Sequence, residues 1–195
     1  SKSAMSVAIA LALGGCSSSS DTQQTAQQNL SKAEKKPNII YLLADDMGYG
    51  DVGAFAQTKI RTPNIDKLAV QGVKFTQHYS GSTVCAPSRS SLMTGQHSGH
   101  SQVRGNKNMS GAYDFKHEMG QVPLKPGTKT IASMLKGAGY TTAIIGKWGL
   151  GGPLDNVGPN DFGFDYFHGY LDQLWAHNYY PTHLWENKEK VKLDN

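Results

Sequence analysis

Asn38-Ile39-Ile40-Tyr41-Leu42-Leu43-Ala44-Asp45-Asp46 is a continuously apolar run that stops abruptly on two adjacent carboxylates. Without alternation, such a run predicts a strand buried on both faces, as in a parallel sheet. Downstream, Pro63 suits a first helical turn, and PNIDKLAVQG places Ile65, Leu68 and Ala69 on one face with Gly72 as the stop. Val73 to Gln77 alternates, as a second strand would. Pro87 to Thr94 can form a short helix closed by Gly95, and Thr130 to Lys136 another, ended by Gly137 and Gly139. Tyr140 to Ile145 then reads as a third strand, running into Gly146-Lys147. Alternating strands and helices predict an α/β domain with a doubly wound, mostly parallel sheet. Ligands of such sheets bind beyond the carboxyl ends of strands, where Asp45, Asp46 and Lys147 all fall. Residues 96–127 and 151–195 read as loop-rich, and the tail from Trp185 shows no helix or strand that would close a domain.

Composition narrows the classes further. The chain has 195 residues, 38 % hydrophobic and 17 % charged, which is too apolar for wholesale disorder. Its 22 glycines follow no three-residue period, and its two cysteines cannot make a disulfide scaffold. The net charge of +4 divides evenly. Residues 1–37 hold four lysines and two acids, and the remainder holds fifteen basic and thirteen acidic residues. No basic cluster beyond Lys35-Lys36 and Lys188, Lys190 and Lys192 exists to favour nucleic acid, and both read as solvated surface. All seven histidines lie after residue 37, which suggests chemistry more than charge steering.

The first segment reads as an address. Lys2 precedes an apolar stretch from Ala4 to Leu13, shorter than the roughly 18 residues a membrane span needs. Leu13-Gly14-Gly15-Cys16 then resembles the lipobox of bacterial lipoproteins, which implies acylation of Cys16 and anchorage to a membrane through the lipid. Ser17 stands where an aspartate would resemble an inner-membrane retention signal, so the outer membrane is expected, on its periplasmic or surface face. The expected organisation is a signal peptide over 1–15, a disordered Ser/Gln-rich tether over 16–36 and a catalytic domain over 37–195.

Three strings carry chemistry. The first, DDMGYGD over 45–51, opens on two carboxylates that repel each other unless a cation or a raised pKa relieves them. Oxygen donors of this kind suit Ca²⁺ or Mg²⁺, although a DD pair also serves a helix cap or a solvated turn. The second, CAPSRSSLMTG over 85–95, puts Cys85 at a helix start with Arg89 one turn on, an environment that favours thiolate. A buried inert cysteine is the alternative, but the flanking Thr, Pro, Ser and Arg make a poor core. The third, GKWGLG over 146–151, presents Lys147 after a strand, which on its own is also an ordinary surface lysine.

Together these strings resemble the type I sulfatases. CAPSRSSLMTG is similar to their C-x-P-S-R signature with its Leu-x-Thr-Gly turn, and PNIIYLLADDMGYGD to their first strand and metal pair. TPNIDKLAVQGVKFTQHY resembles their first helix and second strand, and GYTTAIIGKWGLG their lysine string. The likeness runs from about Lys36 to the last residue, in the family's order. It implies an alkaline-phosphatase-like fold and a sulfuric ester hydrolase acting on an aryl or carbohydrate sulfate. Cys85 would be oxidised to formylglycine by a formylglycine-generating enzyme. Its hydrated aldehyde would attack sulfur through one hydroxyl and expel sulfate through the other. Asp45 and Asp46, with the modified Cys85, would bind Ca²⁺ (Mg²⁺ possible). Arg89 would hold the diol and Lys147 a sulfate oxygen. The family usually has Lys-x-His where this chain has Lys147-Trp148-Gly149, which leaves the base for sulfate release unassigned.

His177, in QLWAHNYYP, falls in a loop that lies near substrate in related sulfatases; it could contact substrate, replace the missing base, or simply pack among aromatics. His100 and Arg104 read as structural polar residues. Family members are longer and add further metal and sulfate ligands, and no such string follows Lys147, so the chain is expected to be an N-terminal portion that is inactive alone. Two other readings stay open. One is a phosphonate or phosphate ester hydrolase on the same fold, and the other a non-catalytic lipoprotein that binds sulfated glycans.

Overall fold

The structure is a computed structural model that describes residues 35–107 and 117–195. The leader and Cys16 lie outside the described residues, as does nearly all of the expected tether. The chain divides into two units, Ser1–Leu43 and Ala44–Asn195. In the described part of the first unit, Ile39 to Leu43 stand exposed and form no strand. This corrects the expectation of a strand buried on both faces. Such a strand needs a neighbour along each edge to complete its hydrogen bonds, and among the described residues none pairs with it.

Three helices form in the second unit close to where their end signals fall. α1 (Pro63–Gln71) starts on proline, and the Gly72 N–H donates back to the Leu68 carbonyl at 2.9 Å. Its expected apolar face is not covered, since Ile65 and Leu68 are exposed. α2 (Cys85–Thr94) begins two residues earlier than expected and buries Ala86, Pro87, Ser90 and Met93. Gly95 ends it in the left-handed region at φ 68°, its N–H donating to the Ser91 carbonyl at 2.8 Å. α3 (Ile131–Gly137) is fixed by a reciprocal cap. The Ser133 N–H donates to Thr130 Oγ1 at 3.1 Å, and the Thr130 N–H donates to Ser133 Oγ at 2.9 Å.

Four strands form one sheet in the order β1-β2-β3-β4. β1 (Ala143–Lys147) pairs in parallel with β2 (Tyr166–Tyr170), register Ala143↔Tyr166 to Lys147↔Tyr170. β3 (His183–Glu186) is antiparallel to β2, and β4 (Glu189–Lys192) to β3. The class is α/β, as expected, and the described sheet is mixed, with one parallel pairing and two antiparallel ones. Val73 to Gln77 is not a strand, and Val73 and Phe75 are exposed; an alternating pattern makes a strand only where a partner edge exists. Conversely, three strands, β2, β3 and β4, lie in the segment expected to be loop and tail. The hairpin of β3 and β4 turns at Asn187-Lys188, with Asn187 at φ 55°, a conformation that asparagine tolerates.

The core gathers Met93, Val103, Leu124, Trp148, Leu150, Phe162, Phe164, Phe167 and Leu171. Trp148 stacks on Phe162 at 5.8 Å and meets Phe164 edge-on at 6.2 Å. The residue after Lys147 is thereby anchored, and the end of β1 with it. Asp165 fastens the other end of the strand pair. Its Oδ2 accepts from the Thr142 N–H at 2.9 Å and its Oδ1 from Lys136 Nζ at 2.5 Å.

Candidate functional site

Five of the expected residues converge. Cys85 is the first residue of α2, and Arg89, four positions on, lies on the same helix face. Lys147 is the last residue of β1. Asp45 and Asp46 precede the one-turn helix Tyr49–Asp51. One ligand atom from each of Asp45, Asp46 and Cys85 lies within 4.8 Å of the others. Asp46 holds this place with φ 55°, a conformation that costs an L residue on the order of 1 kcal/mol and that often marks a functional site.

Oδ2 of Asp45 is the hub. It meets Lys147 Nζ at 2.6 Å and Arg89 Nη2 at 3.4 Å. Arg89 Nη1 also donates to the Lys147 backbone carbonyl at 2.5 Å, which ties α2 to the end of β1. The two cationic side chains are nearly covered, Lys147 at 7 % and Arg89 at 12 % exposure, while Asp45 remains 46 % open. Partial burial would raise the Asp45 carboxyl. The hydrogen bond and charge of Lys147, the charge of Arg89 and a hydrogen bond from Cys85 outweigh it and hold the group below 3.8. Asp45 is therefore ionised at neutral pH, and this one carboxylate faces two cations.

This donor set fits a hard divalent cation once its third member offers oxygen. Two carboxylates suit Ca²⁺ or Mg²⁺, whereas a thiol is a soft ligand that neither ion selects. An oxygen function in place of Sγ at residue 85 completes the set. The thiol as encoded does not.

The remaining expectations divide. His177 closes a one-turn helix, Trp175–His177, on the exposed surface beside Tyr179 and Tyr180, and is not a member of the Asp45, Asp46 and Cys85 group. Arg104 donates to the carbonyls of Ser101 and Gly99 at 3.1 and 2.8 Å, and His100 contacts the His97 ring at 2.8 Å. Both act within their own loop, as expected of structural polar residues. Asn106 was not singled out from the sequence. Its Oδ1 accepts from the Ala86 N–H at 2.9 Å, so a loop residue caps the helix on which Cys85 sits. Glu118 was missed as well, and it gathers His183 Nε2 at 3.1 Å, Trp185 Nε1 at 2.7 Å and Lys190 Nζ at 3.1 Å. No short-range pattern marks either contact, because each partner is far away in sequence.

With this geometry in hand, the comparisons with known proteins agree. The family model described as Sulfatase matches residues 37–194. Steryl-sulfatase of Mus musculus is 41 % identical over 144 residues, 70 % of this chain and 22 % of the relative. N-acetylgalactosamine-6-O-sulfatase of Bacteroides thetaiotaomicron is 38 % identical over 152 residues, 73 % of this chain and 28 % of the relative. A solved structure in complex with its substrate, D-glucosamine-2-N,6-O-disulfate, superposes with a TM-score of 0.62 at 28 % identity, over 82 % of this chain and 28 % of the other. The chain spans about a quarter of the length of the curated relatives it matches.

Proposed function

Because the chain belongs to the sulfatase family, we propose that it carries the nucleophile-bearing part of a sulfuric ester hydrolase, with Cys85 matured to formylglycine. The convergence of Cys85, Arg89 and Lys147 on the ionised Asp45 carries this reading. Hydrated formylglycine would supply one hydroxyl to attack sulfur and a second whose deprotonation releases sulfate, so that no stable ester is left on the enzyme. Ca²⁺, held by Asp45, Asp46 and the residue 85 oxygen, would supply charge stabilisation.

The chain's own residues set the geometry around that chemistry. Arg89 and Lys147 place two fixed positive charges beside residue 85, where negative charge develops on the sulfate oxygens. Low exposure strengthens both, because water screens them little. Asp45, already accepting a hydrogen bond from residue 85, orients that side chain toward the pair. Lys147 Nζ, 2.6 Å from Asp45 Oδ2, would hold a sulfate oxygen from beside the carboxylate that would hold the cation. His177, exposed beside Tyr179 and Tyr180, is a substrate contact in this reading. The substrate class is an aryl or carbohydrate sulfate; N-acetylgalactosamine-6-O-sulfatase and the disulfated glucosamine complex among the relatives support the carbohydrate arm.

The lipobox-like Leu13-Gly14-Gly15-Cys16 supports export and lipid anchorage to a bacterial outer membrane through Cys16. The deciding experiment is peptide mass spectrometry of residue 85 in the full-length protein co-expressed with a formylglycine-generating enzyme, alongside assays on sulfate and phosphonate esters. Conversion of Cys85, sulfate release and loss of turnover in Cys85→Ala are expected. A persistent thiol, or a clear phosphonate preference, overturns the assignment.

A further inference from the structure

Gly149 lies two residues beyond Lys147 with φ 71°, in the left-handed region that disfavours other L residues. A Cβ at this position would collide with Oε1 of Gln173 and lie 3.5 Å from its Cδ. The Gln173 amide therefore fills the space that a side chain at 149 would need. The two segments are zipped together by the backbone. The Trp148 N–H donates to the Tyr170 carbonyl at 2.8 Å and the Gly149 N–H to the Leu171 carbonyl at 3.0 Å, which continues the β1–β2 pairing past Lys147↔Tyr170. Asp172 Oδ1 then accepts from the N–H groups of Leu174 and Trp175 at 2.7 and 2.9 Å, fixing the turn that presents Gln173.

Packing alone does not account for glutamine here. The side chain is 1 % exposed, and among the described residues neither Nε2 nor Oε1 has a hydrogen-bond partner. A methionine would fill the same volume without desolvating an amide. Trp148 Nε1, on the residue between Lys147 and Gly149, is likewise unpaired. Buried polar atoms in this condition are commonly completed by ordered water. An amide does not titrate near neutral pH, so it cannot serve as acid or base. What it can do is hold the chain segment against which it is wedged.

That segment matters because Lys147 is used twice. Its Nζ reaches Asp45 at 2.6 Å and its carbonyl receives Arg89 at 2.5 Å. A displacement of the segment at Gly149 would disturb both contacts. We propose that Gln173 is a positioning residue for Lys147: its buried amide, seated in the space left open by Gly149, keeps the Lys147–Gly149 segment where Nζ meets Asp45.

The inference rests on the sulfatase reading only for its turnover readout, so the test has two arms on the full-length, matured protein. The first is independent of activity: the rate at which an amine-acylating reagent labels Lys147, read by peptide mass spectrometry. Gln173→Met, which keeps volume and removes the polar atoms, is expected to speed labelling about tenfold without lowering the melting temperature. The second arm uses para-nitrophenyl sulfate, where kcat is expected to fall about tenfold with KM within about twofold. A melting-temperature cycle of Gly149→Ala, Gln173→Ala and the double variant tests the shared space. Gly149→Ala is expected to cost much less when residue 173 is alanine. Wild-type labelling of Lys147 in Gln173→Met, or additive melting shifts in the cycle, overturns the proposal. A wild-type protein that turns over no sulfate ester instead overturns the sulfatase reading, and the labelling and melting arms still decide the role of Gln173.

Discussion

Asp45 serves its site because neighbours overcome the cost of covering it. Burial favours the neutral acid, yet Lys147 and Arg89 hold it ionised below the ordinary 3.8. Replacing Lys147 by alanine removes the nearest charge from that balance and from the developing sulfate. Turnover of a sulfate ester by the full-length enzyme should fall by at least about a hundredfold, measured as kcat/KM. Asp172 shows the opposite case. Burial, with Glu118 adding a like charge, raises its carboxyl above 3.8 despite N–H donors from Trp175, Leu174 and Gly120. A carboxyl raised in the folded state binds more protons there than in the unfolded chain. Its cost to stability is therefore absent below 3.8 and grows as pH rises toward the raised value. Asp172→Asn keeps an oxygen for the Leu174 and Trp175 N–H groups. Urea denaturation at a series of pH values should show it at least as stable as wild type at pH 7, with a flatter decline above pH 4.

At the scale of elements, local signals read well and long-range ones do not. The three helices appear within two residues of their expected ends, because proline, glycine and the Thr130–Ser133 pair act within a single turn. Thr130→Ala should lower stability by about 1 kcal/mol, read as a shift of the denaturation midpoint with unchanged slope. Strands depend on partners. Asn38 to Leu43 and Val73 to Gln77 have strand-like side chains and no described neighbour to pair with, while β2 follows its parallel bonding to β1 despite Gly169 among its five residues. The hairpin of β3 and β4 was missed, because its charged, lysine-rich outer strand reads as a solvated tail and only pairing with β2 and β3 makes these segments strands. The site was legible because its chemical residues fall in short local strings: Cys85 opens α2 with Arg89 one turn on, Lys147 ends β1, and Asp45 stands beside Asp46. Gln173 was not, because its meaning comes from filling the space that a side chain at Gly149, 24 residues earlier, would need, which no spacing rule encodes.

At the scale of the molecule, folding and metal binding should be coupled. Asp45 and Asp46 lie in a stretch with few covered side chains, while Cys85 sits on a helix that contributes to the core. A cation bridging them would tie the stretch down. Thermal melting of the matured full-length protein should shift upward with calcium relative to excess chelator, by about 2.7 kcal/mol at a hundredfold over Kd. Asp45→Asn with Asp46→Asn should abolish the difference. Cys16 gives a second test at this scale. Cys16→Ala should end incorporation of labelled palmitate in a bacterial host and move the protein from the membrane to the soluble fraction.

Arg89 grips Lys147 by its backbone carbonyl and not by its side chain. Removing the ammonium therefore leaves the strut between α2 and β1 standing. Lys147→Ala is then expected to keep its framework and Arg89 in place while losing one of the two cationic contacts to a sulfate group. A full-length, slowed variant with an intact framework, immobilised and passed over a mixture of sulfated glycans, would serve as bait, and retention of a sulfated sugar would support the carbohydrate arm of the proposed substrate class.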